Sequence, residues 1–363
     1  MPPKVTVIIP VYNTGKYLRG CLDGVVNQTM REIEIICIDD GSTDDSPAIL
    51  RDYREKDNRI IVVTQENRGA GAARNAGLDI ARGEYLSILD SDDIYDIAMI
   101  EKMYNRTEEL QADMTVCLSK SFDDITGKIS DRKSLAADIR KDVFSYKDAL
   151  KKYPEFDFFI GWAWDKLFRK SFIARHGIRF QEISHSNDAF FVFTAMYAAE
   201  RITVLRESLV RHRINREGSV ASTHNKNPLC FFEMHGAVKE GMEKLGIFQT
   251  VKKHYGKWVI RHSLWVLSNI KTPKSFIEAY SQMEKYYSLN DIYELPLEYY
   301  IEKWRYNEMQ QILMQPGVEY SVDQNTVGFP LKIRGLYYCS KENGPIYAIR
   351  LVIGKCFNKM RVA

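Results

Sequence analysis

The sequence predicts an α/β protein with a doubly wound, mostly parallel sheet, followed by a mostly helical C-terminal region. Two observations carry this prediction. Over residues 4–118, short runs of apolar and β-branched residues alternate with segments whose apolar residues recur at helical spacing. Past residue 225, helical spacing predominates, in segments rich in Tyr, Phe and Trp. The 363 residues suffice for two domains at a common domain size of roughly 150 residues.

The elements of the first third alternate regularly. Continuous apolar runs, typical of strands buried on both faces, predict strands at residues 5–11, 33–38, 60–63, 84–89 and 114–118. Helices are predicted at residues 15–28, from Ser46-Pro47 onward, and at residues 69–81 and 97–110. Such alternation forms right-handed parallel units, whose ligands bind at the carboxyl ends of the strands. The polar clusters that follow these strands are therefore the candidate sites.

The rest of the chain is less regular until it becomes helical. A strand is predicted at residues 202–210, and helices from residue 171 and at residues 189–199. Further helices are predicted at residues 229–245, 251–270, 275–287 and 295–314. We place a domain boundary near residue 225.

Composition and charge exclude several classes of protein. With 27% charged and 45% hydrophobic residues, the chain has ordinary globular composition. The 51 basic and 48 acidic residues leave a net charge of +3, which argues against a dedicated nucleic-acid binder. No apolar run reaches the roughly 20 residues of a membrane-spanning helix, and no signal peptide is expected. The six cysteines form no C-x-x-C motif and fit no zinc ribbon or finger. Because no signal peptide is expected, we expect a reducing, cytoplasmic setting.

The most informative motif is the acidic segment 90–93, which follows a predicted strand. Its sequence, Asp90-Ser91-Asp92-Asp93, places three carboxylates within four residues. Their mutual repulsion is relieved by a cation, and Mg²⁺ and Mn²⁺ prefer such oxygen ligands together with substrate phosphates. The alternative is a polar loop whose aspartates cap the next helix.

Two further motifs follow strands. The segment 39–44, Asp39-Asp40-Gly41-Ser42-Thr43-Asp44, offers carboxylates to a nucleobase or ribose, or forms a turn stabilised by its own side chains. The segment 67–77 is rich in Gly and Ala and includes Arg74 and Asn75. Small residues there permit close approach of a ligand or tight packing of a helix on the sheet. Arg74 stands at the third glycine of the dinucleotide fingerprint, which makes a dehydrogenase a weak interpretation.

These motifs and the segment 5–13 (VTVIIPVYN), taken in order, resemble the motif set of family 2 glycosyltransferases. The resemblance is tight over residues 4–118 and looser to about residue 220. It implies an inverting enzyme of GT-A fold that uses nucleotide-diphosphate sugars, of the type that builds bacterial surface glycans. The domains are then a catalytic domain at 1–225, a helical aromatic-rich domain at 226–330 and a basic amphipathic tail at 331–363.

The resemblance also implies roles for individual residues. The donor nucleotide is expected at Pro10, Tyr12, Asn13, Asp39, Asp40, Arg74, Asp90, Ser91 and Arg213, the last matching a segment that reaches the diphosphate. The metal, Mn²⁺ or Mg²⁺, is expected at Asp92, with His212 a further candidate that is more often structural. Asp93, Trp164 and Asn187 are expected near the transferred sugar or the acceptor. For Trp164, packing in the core is an equal alternative.

Asp188 is expected to be the general base. Family members usually carry Glu-Asp at this point, whereas this chain has Asn187-Asp188, which keeps the base but removes a like charge beside it. The alternative is that Asn187 or Asp188 caps the helix that follows.

The sequence thus predicts a non-processive glycosyltransferase acting on a glycan, lipid-linked or glycoprotein acceptor, with a UDP-sugar as the first choice of donor. A sugar-nucleotide nucleotidyltransferase and a degenerate sugar-nucleotide-binding module are the alternatives. Oligomeric state is open.

The tail carries the basic excess of the chain. Residues 331–363 contain seven Lys or Arg and one Glu, a net charge of +6. We expect either a peripheral contact with the inner face of a membrane or a solvated helix packed on the body.

Overall fold

A computed structural model describes residues 2–132, 141–146, 148–149, 161–183, 186–216, 229–269, 278–279 and 282. The helix predicted at residues 275–287 is covered only at three positions, and the one at 295–314 lies outside the described residues. So does the basic tail at 331–363, whose membrane contact stays a prediction.

Nine strands and eight helices are described in these residues. The strands are β1 (Val5–Val11), β2 (Ile33–Asp39), β3 (Ile60–Thr64), β4 (Tyr85–Ile88), β5 (Ile94–Tyr95), β6 (Met114–Asp123), β7 (Ile129–Asp131), β8 (Lys166–Arg169) and β9 (Ile202–Ile214). The helices are α1 (Gly15–Val26), α2 (Ser46–Lys56), α3 (Ala70–Ile80), α4 (Met99–Glu109), α5 (Lys170–Arg175), α6 (Asn187–Ala198), α7 (Cys230–Lys244) and α8 (Phe248–Asn269).

The strands form one sheet in the order β3-β2-β1-β4-β8-β6-β9-β5, with β7 paired to β6. The pairs β3–β2, β2–β1, β1–β4 and β6–β9 are parallel. Every residue of β1 and β2 is buried, which explains their nearly continuous apolar sequences. The predicted α/β fold with a mostly parallel sheet is confirmed.

The second half of the sheet differs from the prediction. Strand β8 lies antiparallel between β4 and β6, and its four residues, just before the helix predicted from residue 171, were not predicted as a strand. Strand β9 continues to Ile214, past the predicted end at residue 210. The two residues of β5 pair with Val210 and Arg211 of β9. This pairing brings the end of β9 beside the acidic loop after β4.

Pro10 lies inside β1, where a proline would normally break a ladder. The pairing of β1 with β4 ends at Ile8, so the N–H group that Pro10 lacks costs no hydrogen bond to β4. The carboxyl end of β1 is therefore open on the β4 side, next to the loop that begins at Asp90.

Contacts divide the chain into two compact units. The first holds the described residues up to 216 together with Met234–Gln249, and the second holds the described residues 229–233 and those from 250 onward. The predicted boundary at residue 225 stays a prediction. None of the described helices is both long enough and apolar enough to cross a bilayer.

Candidate active site

The loop after β2 uses its carboxylates to hold its own backbone. Asp40 is buried, and its carboxylate accepts hydrogen bonds from the backbone N–H groups of Arg68 (2.9 Å) and Gly69 (2.8 Å). Asp39 accepts one from the backbone N–H of Ser42 at 3.0 Å. The hydrogen bond to Asp39 agrees with the interpretation of this motif as a turn. Asp40 also holds the loop before α3 in place, a role that the sequence did not predict.

Tyr12 and Asn13 border this loop at the end of β1. The Tyr12 side chain is 49% exposed, so its ring is accessible to a ligand. Asn13 adopts a left-handed backbone conformation with φ of 50°, and its side-chain oxygen accepts a hydrogen bond from the backbone N–H of Thr43 at 2.8 Å. The two predicted nucleotide-contact segments, after β1 and after β2, are therefore joined.

The loop after β4 is anchored through its backbone. The hydroxyl of Tyr95 accepts a hydrogen bond from the N–H of Asp90 (2.8 Å) and donates one to its carbonyl (3.0 Å). Thr14 donates from its hydroxyl to that of Ser91 at 3.0 Å, which ties this loop to the end of β1. Helix α4 starts at Met99, and the side chain of Asp96 accepts a hydrogen bond from the backbone N–H of Ala98, the residue before the helix. The aspartates of the motif are therefore not the cap of that helix.

Two arginines at the end of β9 and just after it bind Asp92. Arg216 forms an ion pair with the Asp92 carboxylate, and Arg213 donates from Nε to its backbone carbonyl at 2.8 Å. The guanidinium of Arg213 also donates to Asp124 at 2.6 Å, and Tyr17 donates its hydroxyl to the same carboxylate at 2.8 Å. Asp124 and Arg216 were not predicted. Asp124 follows a strand that is longer than the sequence suggested, which is the signal that was missed.

Asp93, which is buried, pairs with the partly buried His212. His212 donates from Nδ1 to the Asp93 carboxylate at 3.0 Å, and the N–H of Arg213 donates to the other oxygen at 2.8 Å. Burial raises the pKa of Asp93 to about 6, against the opposing effect of His212. Burial disfavours the charged imidazole, yet the Asp93 carboxylate outweighs it and raises the pKa of His212. Asp93 is 1% exposed and anchors His212 in this structure, and its expected place near the transferred sugar stays a prediction.

Trp164 packs in the core. Its side chain is 1% exposed, and its ring stacks on Trp162 and on His212 with centroid distances of 5.3 Å and 4.9 Å. This packing agrees with the core alternative, and the expectation that Trp164 lines the sugar pocket stays a prediction. Its partner Trp162 is the partly exposed member of the stack and is covered by the Arg132 guanidinium at 4.1 Å.

Arg74 and Asp188 lie at the interface of α3 and α6. Arg74 is buried, and its guanidinium donates to the side-chain oxygen of Asn187 (2.5 Å) and to the carboxylate of Asp90 (2.7 Å). Helix α6 begins at Asn187 with Ser186 as its N-cap residue, so neither Asn187 nor Asp188 is the cap. Burial raises the pKa of Asp188 to about 6, with Arg74 opposing and Asp90 adding to the rise. A carboxylate with that pKa accepts a proton more readily than an exposed aspartate.

The residues expected at the metal are compatible with a divalent cation. Among the described residues, no three His, Cys, Asp or Glu side chains converge on one point. Mg²⁺ and Mn²⁺ commonly use one or two protein ligands and complete their shell with substrate phosphates and water. Asp92 offers such a ligand. The Nδ1 of His212 is held by a carboxylate, the arrangement in which the other ring nitrogen binds metals.

Comparison with known proteins identifies relatives of this chain. Residues 6–176 match the family model described as Glycosyl transferase family 2. The chain is 35% identical over 285 residues to the putative glycosyltransferase EpsH of Bacillus subtilis, covering 75% of this chain and 79% of that protein. It is 34% identical over 221 residues to the glycosyltransferase GlyA of Streptococcus pneumoniae, covering 60% of this chain and 31% of that larger protein.

Solved structures share the fold. S. aureus TarS (residues 1–349) in complex with UDP-GlcNAc is 19% identical, covers 80% of this chain and 90% of its own, and has a TM-score of 0.51. The mannosyltransferase PcManGT from Pyrobaculum calidifontis in complex with GDP-Man and Mn²⁺ is 16% identical, covers 80% of this chain and 84% of its own, and has a TM-score of 0.50. The expectation of a GT-A fold is confirmed.

Proposed function

The chain belongs to glycosyltransferase family 2, and from that membership we propose that it is a non-processive, inverting and metal-dependent transferase. Its donor is a nucleotide-diphosphate sugar, with UDP-sugars as the first candidates. Its acceptor is a glycan, a lipid-linked glycan or a glycoprotein, and its place of action is the cytoplasm. The observation that carries the proposal is Asp188, a half-buried carboxylate linked to the donor-side loop through Arg74 and Asp90.

The donor is proposed to bind at the carboxyl ends of β1, β2 and β4. The exposed ring of Tyr12 and the joined loops after β1 and β2 support a base-binding role there. Arg213 supports the diphosphate end, because its guanidinium already binds the carboxylate of Asp124, an anion that phosphate oxygens can replace.

The reaction is proposed as a single displacement. Asp188 takes the proton of the acceptor hydroxyl while that oxygen bonds to the anomeric carbon. The bond from this carbon to the diphosphate oxygen breaks, and the nucleoside diphosphate leaves with the electron pair. Because the acceptor attacks from the side opposite the leaving group, the anomeric centre is inverted. No side chain is assigned as a nucleophile.

The leaving group develops negative charge that the site must stabilise. Arg213 supplies part of the positive charge from the end of β9. A divalent cation, when held by Asp92 and the diphosphate, would supply further positive charge to stabilise the leaving group. Arg216 pairs with Asp92 in this structure, so it must move away from Asp92 where that oxygen serves the cation.

The first experiment is a donor screen. Hydrolysis of UDP-glucose, UDP-galactose, UDP-N-acetylglucosamine and GDP-mannose is measured with Mn²⁺ or Mg²⁺, with and without EDTA. We expect turnover of at least one donor and its loss with EDTA. Turnover that is insensitive to EDTA would contradict the proposed role of the metal. If no donor is turned over, a degenerate sugar-nucleotide-binding module is favoured.

The second experiment tests the base. Asp188→Asn is expected to lower transfer about 10²- to 10⁴-fold, the range typical of general bases. The matched control is Glu55→Gln, a neutralised carboxylate on the exposed surface of α2, which we expect to keep wild-type turnover. Wild-type turnover in Asp188→Asn would refute the assignment.

A further inference from the structure

One face of α3 and the loop before it dock the segment that carries Asp188. A Cβ added at Gly71 would lie 1.9 Å from the carbonyl oxygen of Gln181, so only glycine permits this approach. The side chain of Asn75 donates to the carbonyl of Phe180 and accepts from its N–H, both at 2.9 Å. The small residues of the Gly- and Ala-rich motif therefore let α3 pack closely against this segment, as well as against the sheet.

Arg74 lies at the centre of that docked face. Its guanidinium stacks on the ring of Phe180 at 5.3 Å and joins two groups from different parts of the chain. One is the side-chain oxygen of Asn187 in the first turn of α6, and the other is the carboxylate of Asp90 in the loop after β4. Since Asp188 is the next residue after Asn187, its place relative to the donor loop is fixed through this bridge.

The charges around Asp188 come from three elements. Arg74 faces it from α3, Asp90 from the loop after β4, and Lys166 from β8. Lys166 is itself paired with Asp165 at 2.5 Å. At position 187 the chain carries an amide, which accepts the hydrogen bond of Arg74 without taking up its charge. An acid at that position would pair with Arg74 and add a negative charge beside the base.

We propose that Arg74 is a positioning residue for the base: it joins Asn187 to Asp90 and so holds Asp188 beside the donor loop, while the neutral Asn187 leaves the charge of Arg74 available to Asp188. The inference rests on the proposed function, and it departs from the expectation that Arg74 mainly contacts the nucleotide.

Arg74→Lys distinguishes a role in positioning the base from a role in binding the nucleotide. Lysine keeps the positive charge but cannot reach both partners with a planar fork. We expect kcat to fall roughly 10- to 100-fold through misplacement of the base, with the donor KM changed less than about twofold. A raised donor KM at unchanged kcat would overturn the proposal and support nucleotide binding.

Asn187→Asp tests the charge argument with an isosteric change. We expect the acid limb of the kcat/KM profile to move up by about 0.5 to 1 pH unit, because the new carboxylate competes for Arg74. The control is Asn105→Asp, which adds the same charge on the exposed surface of α4 and is expected to leave the limb in place. An unmoved limb in Asn187→Asp would overturn the charge argument.

A readout independent of turnover distinguishes this inference from the proposed function. The carboxyl ¹³C signal of Asp188, assigned by its loss in Asp188→Asn, is titrated in the wild type, Arg74→Lys and Asn187→Asp. We expect the Asp188 pKa to rise in Asn187→Asp and to change in Arg74→Lys. If these shifts occur while Asp188→Asn retains turnover, the coupling stands and the proposed function fails. If Asp188→Asn is inactive and the pKa is the same in all three proteins, the coupling fails alone.

Discussion

The loops after β2 and after β4 both begin with aspartates, yet those aspartates bind different partners. After β2, Asp39 and Asp40 accept hydrogen bonds mainly from backbone N–H groups, and Asp40 accepts one more from the side chain of Gln65. After β4, the carboxylates of Asp90, Asp92 and Asp93 bind the side chains of Arg74, Arg216 and His212. A carboxylate bound to backbone shapes a loop, whereas one paired with a cationic side chain can exchange that partner for a ligand. We therefore propose different contributions for the two motifs: the first mainly holds its loop in place, whereas Asp92 of the second serves the chemistry and Asp93 anchors His212.

Of the two loops, the second is expected to show the larger effect on turnover. Asp92→Asn removes the negative charge proposed for the cation site, and transfer should fall about 10²- to 10³-fold because charge on the leaving group is no longer stabilised. Thermal unfolding should change little, since the lost partner is a single arginine. Turnover at half the wild-type rate or better would show that Asp92 does not take part in the reaction. Glu55→Gln again serves as the control.

The first loop should respond in the opposite way. Asp40→Asn leaves one of the backbone N–H groups of Arg68 and Gly69 without its acceptor, and the free energy of unfolding should drop by about 1–3 kcal/mol. Any loss of kcat should be minor beside that of Asp92→Asn. Chemical unfolding followed by circular dichroism measures the first quantity. Unchanged stability would mean that the carboxylate is not what holds the loop.

A pH-dependent stability test concerns Asp188. Its pKa of about 6 in the folded protein lies above that of an unfolded aspartate, so folding takes up a proton between about pH 4 and 6. The contribution of Asp188 to the free energy of unfolding therefore falls as pH rises through this window. Asp188→Asn should be more stable than the wild type at pH 7 by about 1–2 kcal/mol, with the gap closing below pH 4. A constant gap across this range would contradict the raised pKa of Asp188.

The smallest effect is expected at Trp164. Trp164→Phe removes part of a buried ring, so we expect about 1 kcal/mol of lost stability. Because the ring is enclosed by Trp162 and His212, the donor KM should stay within about twofold of the wild type. A changed preference among the four donors, with stability intact, would return Trp164 to the sugar pocket.

Much of the fold is legible in the sequence because β1 and β2 are buried on both faces and leave unbroken apolar runs. Strand β8 could not be predicted from the sequence. Its four residues run directly into α5, and they include Lys166, a charged residue that is buried because it pairs with Asp165. No local signal reveals an antiparallel strand whose neighbours are distant in sequence. The tertiary partners alone decide it.

The site divides in the same way. The acidic motifs, Arg74 and Asp188 are identifiable because residue types and order resemble a family. The partners of those residues are not, since Asp124 and Arg216 reach the site through the length of β6 and β9 and the pairing of β9 with β5. The burial of Trp164 likewise depends on a stack with His212, 48 positions further along the sequence.

The proposal that a single carboxylate acts as a base, and none as a nucleophile, is tested most directly by the configuration of the product. Proton NMR of the reaction, run with whichever α-linked sugar nucleotide the donor screen identifies, distinguishes the first-formed anomer before it equilibrates. A single displacement predicts a β-configured product. An α-configured product would require retention and would contradict the proposed mechanism.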